Sequence, residues 1–206
     1  MDIVFIVSFS RNNLDVYNLS LRNHAEYCSR HGYVLQNIEE PYNKFIDTAR
    51  IRENLRQFDV VVVLGTDVII RRPEIAIETF VRPGISMCPQ HGDGVLNGDF
   101  IIFTATADTY AVLARLDGIQ YHTDHGQAAL NYLYRCGMPG IHAVEYLQIA
   151  SPIMNPGVNY DGADLGRYFS FHYHQMGVAP IPAAKAAAMR ADTMSGLPDK
   201  EKTNMT

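Results

Sequence analysis

Cysteine is scarce in this chain, with three in 206 residues, and there is no run of lysine or arginine. Cys28, Cys88 and Cys136 are odd in number and show no Cys-x-x-Cys spacing. That argues against a disulfide framework or a cysteine zinc site, and fits small core residues in a reducing compartment. Seventeen Lys and Arg against 22 Asp and Glu give a net charge of −5. Tight binding to nucleic acid or to an anionic membrane surface is therefore not indicated, although an enzyme that touches a polymer briefly needs no such footprint. No apolar stretch approaches the ~20 residues of a membrane span. Residues 3–9 follow an aspartate and are too short for a secretory leader. Repeats, low-complexity segments and interior linkers are also missing. The expectation is one soluble, cytoplasmic domain over residues 1–190 with a polar, mobile tail over 191–206.

What is present begins with residues 58–70, Phe-Asp-Val-Val-Val-Val-Leu-Gly-Thr-Asp-Val-Ile-Ile. The unbroken apolar run Val60 to Leu64 reads as a strand buried on both faces, as in a sheet covered by helices. It ends in a small turn carrying one carboxylate, Asp67. The carboxyl edge of such a sheet is where open α/β folds bind ligands, and a carboxylate there suits Mg²⁺ or Mn²⁺ bridging to phosphates. The plain alternative is a turn aspartate.

Upstream, residues 3–9 read as a strand and 12–31 as a helix burying Leu14, Tyr17, Leu21, Ala25 and Cys28, stopped by Gly32. A strand over 33–38 completes a βαβ start, which predicts a parallel pair. A helix over 44–57 turns Phe45, Ala49, Ile51 and Leu55 inward. Downstream, the pattern gives a short helix over 73–80, strands over 85–88 and 100–103, and helices over 108–116 and 127–136. A loop-rich stretch follows over 138–166, then a last strand over 168–173 and a short helix over 183–190. The predicted class is α/β, a mostly parallel central sheet flanked by helices.

Several motifs stand in order along this frame. His24-x-x-Tyr27-x-x-x-His31-Gly-Tyr33 comes first, then Lys44, Arg50 and Arg52 ahead of Leu64-Gly-Thr-Asp67. Leu96-Asn-Gly-Asp-Phe-Ile-Ile-Phe103 is followed by Gly126-Gln-Ala-Ala-Leu-Asn131 and by Phe171-His-Tyr-His-Gln-Met-Gly177. Taken together, residues 1 to 180 resemble the GT-A glycosyltransferases, most nearly the fungal-type α-galactosyl/α-mannosyltransferase family, with glycogenin-like enzymes as cousins.

The resemblance implies a single Rossmann-like GT-A domain that moves a sugar from a nucleotide diphosphate donor to an acceptor hydroxyl. The acceptor class stays open: a glycan, a small molecule, a protein or a modified nucleic-acid base. It implies Mn²⁺, or Mg²⁺, held by Asp67 and His174, and it implies retention of anomeric configuration. Donor contacts fall by the same correspondence on Ser8, Lys44, Arg50, Gly65, Thr66 and Asp67, with Lys185 in place of a basic residue near the family's His-x-x-Gly. The same correspondence gives the catalytic positions to Asn97, Asp124 and Gln127. His172 and His174 share a face if the strand runs through both, and the His-x-x-Gly register selects His174 as ligand.

Two departures stand out. Gly65 replaces the first acid of the family's Asp-x-Asp, and Gly126 replaces the acid before its glutamine. Asp124 lies two residues earlier, where a helix-capping acid would equally be at home. Plain readings accompany the others: Lys44, Arg50 and Arg52 as solvated helix charges, Asn97 and Asp99 as turn formers, and His122-Thr-Asp124-His125 as capping chemistry. The lost acids leave a non-catalytic nucleotide-sugar binder as the alternative. A nucleotidyltransferase is disfavoured, because Ser8-Phe-Ser-Arg-Asn-Asn13 lacks the Gly-rich loop that class carries after its first strand.

Overall fold

The computed structural model describes residues 1–9, 14–40, 45–89, 95–123, 125–150 and 167–173, together with 187 and 189. The chain opens as expected, with β1 (Ile3–Phe9), α1 (Leu14–His31) and β2 (Val34–Glu39) forming a parallel βαβ unit. Gly32, at φ +74°, ends α1 in the left-handed conformation that glycine tolerates. Tyr33 N then donates to Cys28 O at 2.9 Å. α2 (Thr48–Asn54) is shorter than its sequence suggests, because Asp47 caps it by accepting from Arg50 N.

Then follow β3 (Val60–Leu64), β4 (Val68–Ile70), a 3-10 turn at Ile77–Phe80, β5 (Ile85–Pro89) and β6 (Leu96–Thr104). α3 (Ala107–Ile119), a 3-10 turn at Gln120–His122 and α4 (Gly126–Arg135) precede three short strands: β7 (Ile141–Ala143), β8 (Gln148–Ala150) and β9 (Ser170–His172). The loop-rich reading of 138–166 thus missed β7 and β8, since three-residue strands leave no periodicity to detect.

The larger sheet has the order β2-β1-β3-β6-β5-β7 and the smaller one β4-β9-β8. In the larger sheet β1/β2, β1/β3 and β5/β7 are parallel, whereas β6 runs antiparallel to both β3 and β5. The apolar run in β3 is explained by two cores, one on each face. Val60, Val62 and Leu64 join Tyr17, Tyr27 and Phe169 beneath α1 and the small sheet. Val61 instead packs with Ile51, Leu113 and Leu130 from α2, α3 and α4. Alternate side chains of one strand feed opposite layers, so every position is apolar. Among the described residues, no helix is long and apolar enough to cross a membrane.

Two helix faces differ from expectation. α1 buries Val16, Tyr17, Ser20, His24, Tyr27 and Cys28, while Leu14 and Ala25 are exposed. In α2, Ala49 is exposed, and Thr48 and Asn54 are buried with Ile51. Counting apolar residues placed Tyr17, Cys28, Ile51 and Leu55 correctly but missed Ser20, His24, Thr48 and Asn54, polar residues that the fold buries. Asn23 bonds both Ile70 N and Ile70 O, and His24 Nε2 lies 2.9 Å from Val68 O. α1 is thereby laced to β4.

His24 is fully buried, and desolvation lowers its pKa from 6.5 to about 4 against the smaller opposing effect of the Val68 bond. Among the described residues its Nδ1 has no hydrogen-bond partner, so none of them offers an acceptor for a second proton. A folded-state pKa below the unfolded value makes this contribution complete above about pH 6.5 and lost as pH falls toward 4. The wild type should lose roughly 3 kcal/mol of stability from this group across that window. Urea unfolding at stepped pH should show the loss in the wild type and a flatter profile in His24→Gln.

Candidate functional site

The β3 strand delivers Leu64 to the carboxyl edge of the large sheet, and the turn Gly65-Thr66-Asp67 passes the chain into β4 of the small sheet. Because β6 is antiparallel to β3, its amino end reaches that same edge. Leu64 pairs with Phe100, so Gly65 stands opposite Asp99, and Gly65 N donates to Asp99 O at 2.7 Å. β9 arrives from the small sheet with His172 paired to Val68, and Tyr173 N donates to Asp67 O at 2.9 Å.

Three chain segments therefore converge on Asp67, Asp99 and His172, which offer ligand atoms within 4.8 Å of one another. His172 Nε2 lies 3.2 Å from Asp99 Oδ2 and 3.6 Å from Asp67 Oδ2. The side chain of His172 is 6% exposed, that of Asp67 14% and that of Asp99 40%, so the cluster opens to solvent on the Asp99 side. Two carboxylate oxygens and an imidazole nitrogen form a donor set suited to Mn²⁺ or Mg²⁺.

Asn97 orders this cluster. Its Oδ1 accepts from Asp99 N at 2.8 Å, which turns its NH₂ toward His172 Nδ1 at 3.3 Å. In that arrangement Nδ1 accepts and Nε2 carries the proton between the carboxylates. Ligation through Nε2 requires the proton on Nδ1 instead, and an Asn97 amide turned to accept that proton would give up its bond to Asp99 N.

The motif Gly126-Gln-Ala-Ala-Leu-Asn131 sets the start of β6. Gln127 Oε1 accepts from Gly98 N at 2.8 Å. Asn131 takes Leu96 N at 2.7 Å and gives its NH₂ to Leu96 O and Gln127 O. Side chains four apart on a helix share a face, so one face of α4 clamps the backbone on both sides of Asn97. A Cβ on Gly98 would come within 2.9 Å of Gln127 Cβ, so this close approach needs glycine.

Gly126 has a different cause. A Cβ there would meet Ile46 Cγ1 at 2.7 Å and Ile46 N at 2.9 Å. Ile46 is docked by Gln120, whose Oε1 accepts from Ile46 N and whose Nε2 donates to Ile46 O. The segment before α2 thus lies where an acid at 126 would project. His125 caps α4, with Nδ1 accepting from Ala128 N at 3.1 Å.

Ser8 is exposed at the carboxyl end of β1, two residues beyond the Ile6–Val63 pair and hence level with Gly65. Thr66 is buried in the same turn as Asp67. Arg50 is held by Glu40 Oε2 at 3.0 Å and by Asp47 at 3.4 Å, and Arg52 by Asp117 at 2.6 Å. Both cations are occupied within the fold. Lys44, Asp124, His174 and Lys185 lie outside the described residues. The sequence reading paired Asp67 with His174, placed Asp99 in a substrate-facing turn without giving it the metal, and took His172 as a structural histidine. The signal for Asp99 was its place beside Asn97 at the start of an apolar strand.

No protein-family model matches the chain, and no curated protein matches it. Solved structures do. A glycosyltransferase involved in glycosylation of the major capsid of PBCV-1 is similar at a TM-score of 0.64 and 14% identity, over 93% of this chain and 100% of that one. The glycosyltransferase GlyE of Streptococcus pneumoniae TIGR4 gives 0.53 and 12%, over 92% of this chain and 60% of that one. The galactosyltransferase LgtC, solved with donor and acceptor sugar analogs, gives 0.51 and 13%, with both chains fully covered. At these identities the likeness establishes the fold, which is GT-A.

Proposed function

We propose that the chain is a metal-dependent glycosyltransferase that moves a sugar from a nucleotide diphosphate donor to an acceptor hydroxyl. The observation that carries this reading is the meeting of Asp67, Asp99 and His172 at the ligand-binding edge of a GT-A sheet. The structural neighbours are named as glycosyltransferases, and one of them was solved with donor and acceptor sugar analogs.

In this reading Asp67, Asp99 and His172 hold Mn²⁺ or Mg²⁺, which supplies Lewis-acid stabilisation to the departing diphosphate. Ser8, Gly65 and Thr66 border the diphosphate, with Lys44 and Lys185 as its cationic contacts. Gln127 and Asp124 sit toward the donor sugar. Arg50, tied to Glu40 and Asp47, acts by fixing the approach to α2 rather than by touching phosphate. Asn97 orients His172 and tethers Asp99.

During transfer the bond between the anomeric carbon and the diphosphate oxygen breaks, and the oxygen keeps the electron pair. The acceptor oxygen bonds the anomeric carbon, and its proton passes to a leaving phosphate oxygen. Attack on the face that the diphosphate leaves retains configuration, as in the families that the sequence resembles. The transferase domain spans residues 1–190.

A thermal-shift series tests it, using uridine and guanosine diphosphates and their sugars with and without Mn²⁺. A ligand at 100 times its Kd adds about 2.7 kcal/mol of stability, which is several degrees of melting temperature. A rise that requires both metal and nucleotide is expected. If no diphosphate species shifts the transition with any divalent ion, the donor-site reading falls.

A further inference from the structure

We propose that Asp99 carries, from the facing strand, the carboxylate that an Asp-x-Asp sequence would place at position 65, and that Asp99 is why position 65 is glycine. This rests on the metal-diphosphate reading above and assigns the source of one ligand within it.

Positions 65 and 99 continue the register set by the Leu64–Phe100 pair, and Gly65 N bonds Asp99 O at 2.7 Å. Directly opposed residues on antiparallel strands put their side chains on one face of the sheet. Here the two sites are closer still. A Cβ built on Gly65 would lie 3.2 Å from Asp99 Cβ, 3.2 Å from Asp99 Oδ1 and 3.1 Å from Asp67 Oδ1. All three approaches are tighter than ordinary carbon–oxygen or carbon–carbon contact. A side chain at 65 and the present carboxylate of Asp99 claim the same volume beside Asp67.

The backbone that carries the Asp99 side chain has little freedom to draw back. Its N–H is fixed by Asn97 Oδ1, its carbonyl by Gly65 N, and the preceding Gly98 N–H by Gln127. Its Oδ2 is also nearer His172 Nε2 than is the Asp67 oxygen, at 3.2 against 3.6 Å. The charge arithmetic agrees. Two carboxylates and a neutral imidazole match one divalent cation, and the loss of an acid at 65 would halve that charge unless another strand returned it.

The consequence is exchangeability: the carboxylate can sit on either facing position, but not on both. Mn²⁺ affinity, measured by electron paramagnetic resonance with and without uridine diphosphate, tests this in the full chain. Asp99→Asn keeps shape and removes charge, and it should weaken Mn²⁺ at least about tenfold with the melting temperature near wild type. Asp99→Gly should do the same. Gly65→Asp combined with Asp99→Gly should recover affinity to within about threefold of wild type, whereas Gly65→Asp alone should lower the melting temperature without tightening Mn²⁺.

A structural role for Asp99 would move stability and leave Mn²⁺ affinity in place. Unchanged affinity in Asp99→Asn, alongside lost affinity in Asp67→Asn, would overturn the assignment and leave the donor-site reading standing. A folded double variant no better than Asp99→Gly would overturn it too. Wild type that binds no Mn²⁺ in either condition would overturn both.

Discussion

Asp67→Asn should abolish sugar transfer while the protein remains folded. The Asp67 side chain closes the turn between β3 and β4 at the sheet edge, is 14% exposed and lies outside the two main cores. Asparagine matches it in volume, so packing is preserved and the substitution removes one formal charge from the proposed ion. Loss of a ligand's charge lowers activity by about 10²-fold or more, because the ion and the stabilisation of the leaving diphosphate go together. Donor turnover by the variant, set beside circular dichroism and melting temperature, checks this. Full activity would reduce Asp67 to a turn former.

His172→Ala is the second large effect. The side chain is nearly buried, faces both carboxylates and takes Asn97 at its other nitrogen. Removing it leaves Asp67 and Asp99 facing each other without the imidazole between them. Mn²⁺ affinity and turnover should both fall by about 10²-fold. His172→Gln should recover the fold better than the activity, since an amide oxygen is a weaker ligand than imidazole. His174→Ala is the companion measurement. The register of the sequence motif favours His174 and the observed cluster favours His172, so the larger loss identifies the ligand. A His174→Ala loss exceeding that of His172→Ala would return the role to the motif register.

The route from sequence to this site was uneven for physical reasons. The buried strand 60–64 and the carboxylate after it were legible because a strand covered on both faces has an unmistakable composition. The class of fold followed from the βαβ opening. Asp99 was harder to see, because nothing local tells an antiparallel strand from a parallel one. Only the insertion of β6 between β3 and β5 reveals that its amino end, not its carboxyl end, reaches the site. The missing acids at 65 and 126 pointed in one dimension to a rebuilt pocket or to impaired activity, with the intact Asp67 favouring the former. In three dimensions Asp99 fills the first position and Ile46 the second. Gln127 and Asn131 were recognisable as a motif, but their hold on Leu96 and Gly98 is a tertiary fact. The buried faces of α1 and α2 were only half legible, because Asn54 is bonded inside the fold and His24 is buried with Nε2 against Val68 O.

The three ligand positions also come from two different sheets, with Asp99 on the large one, His172 on the small one and Asp67 in the turn that joins them. An ion gripping all three would be a removable crosslink, tying together strands far apart along the chain much as a disulfide would. Such a tie acts on the rate at which the sheets part and not only on the binding of donor. Stripping the ion with a chelator should therefore leave the cores packed yet hasten unfolding and proteolytic clipping at the junction between the sheets. For this molecule, supply of divalent metal would set lifetime as well as turnover.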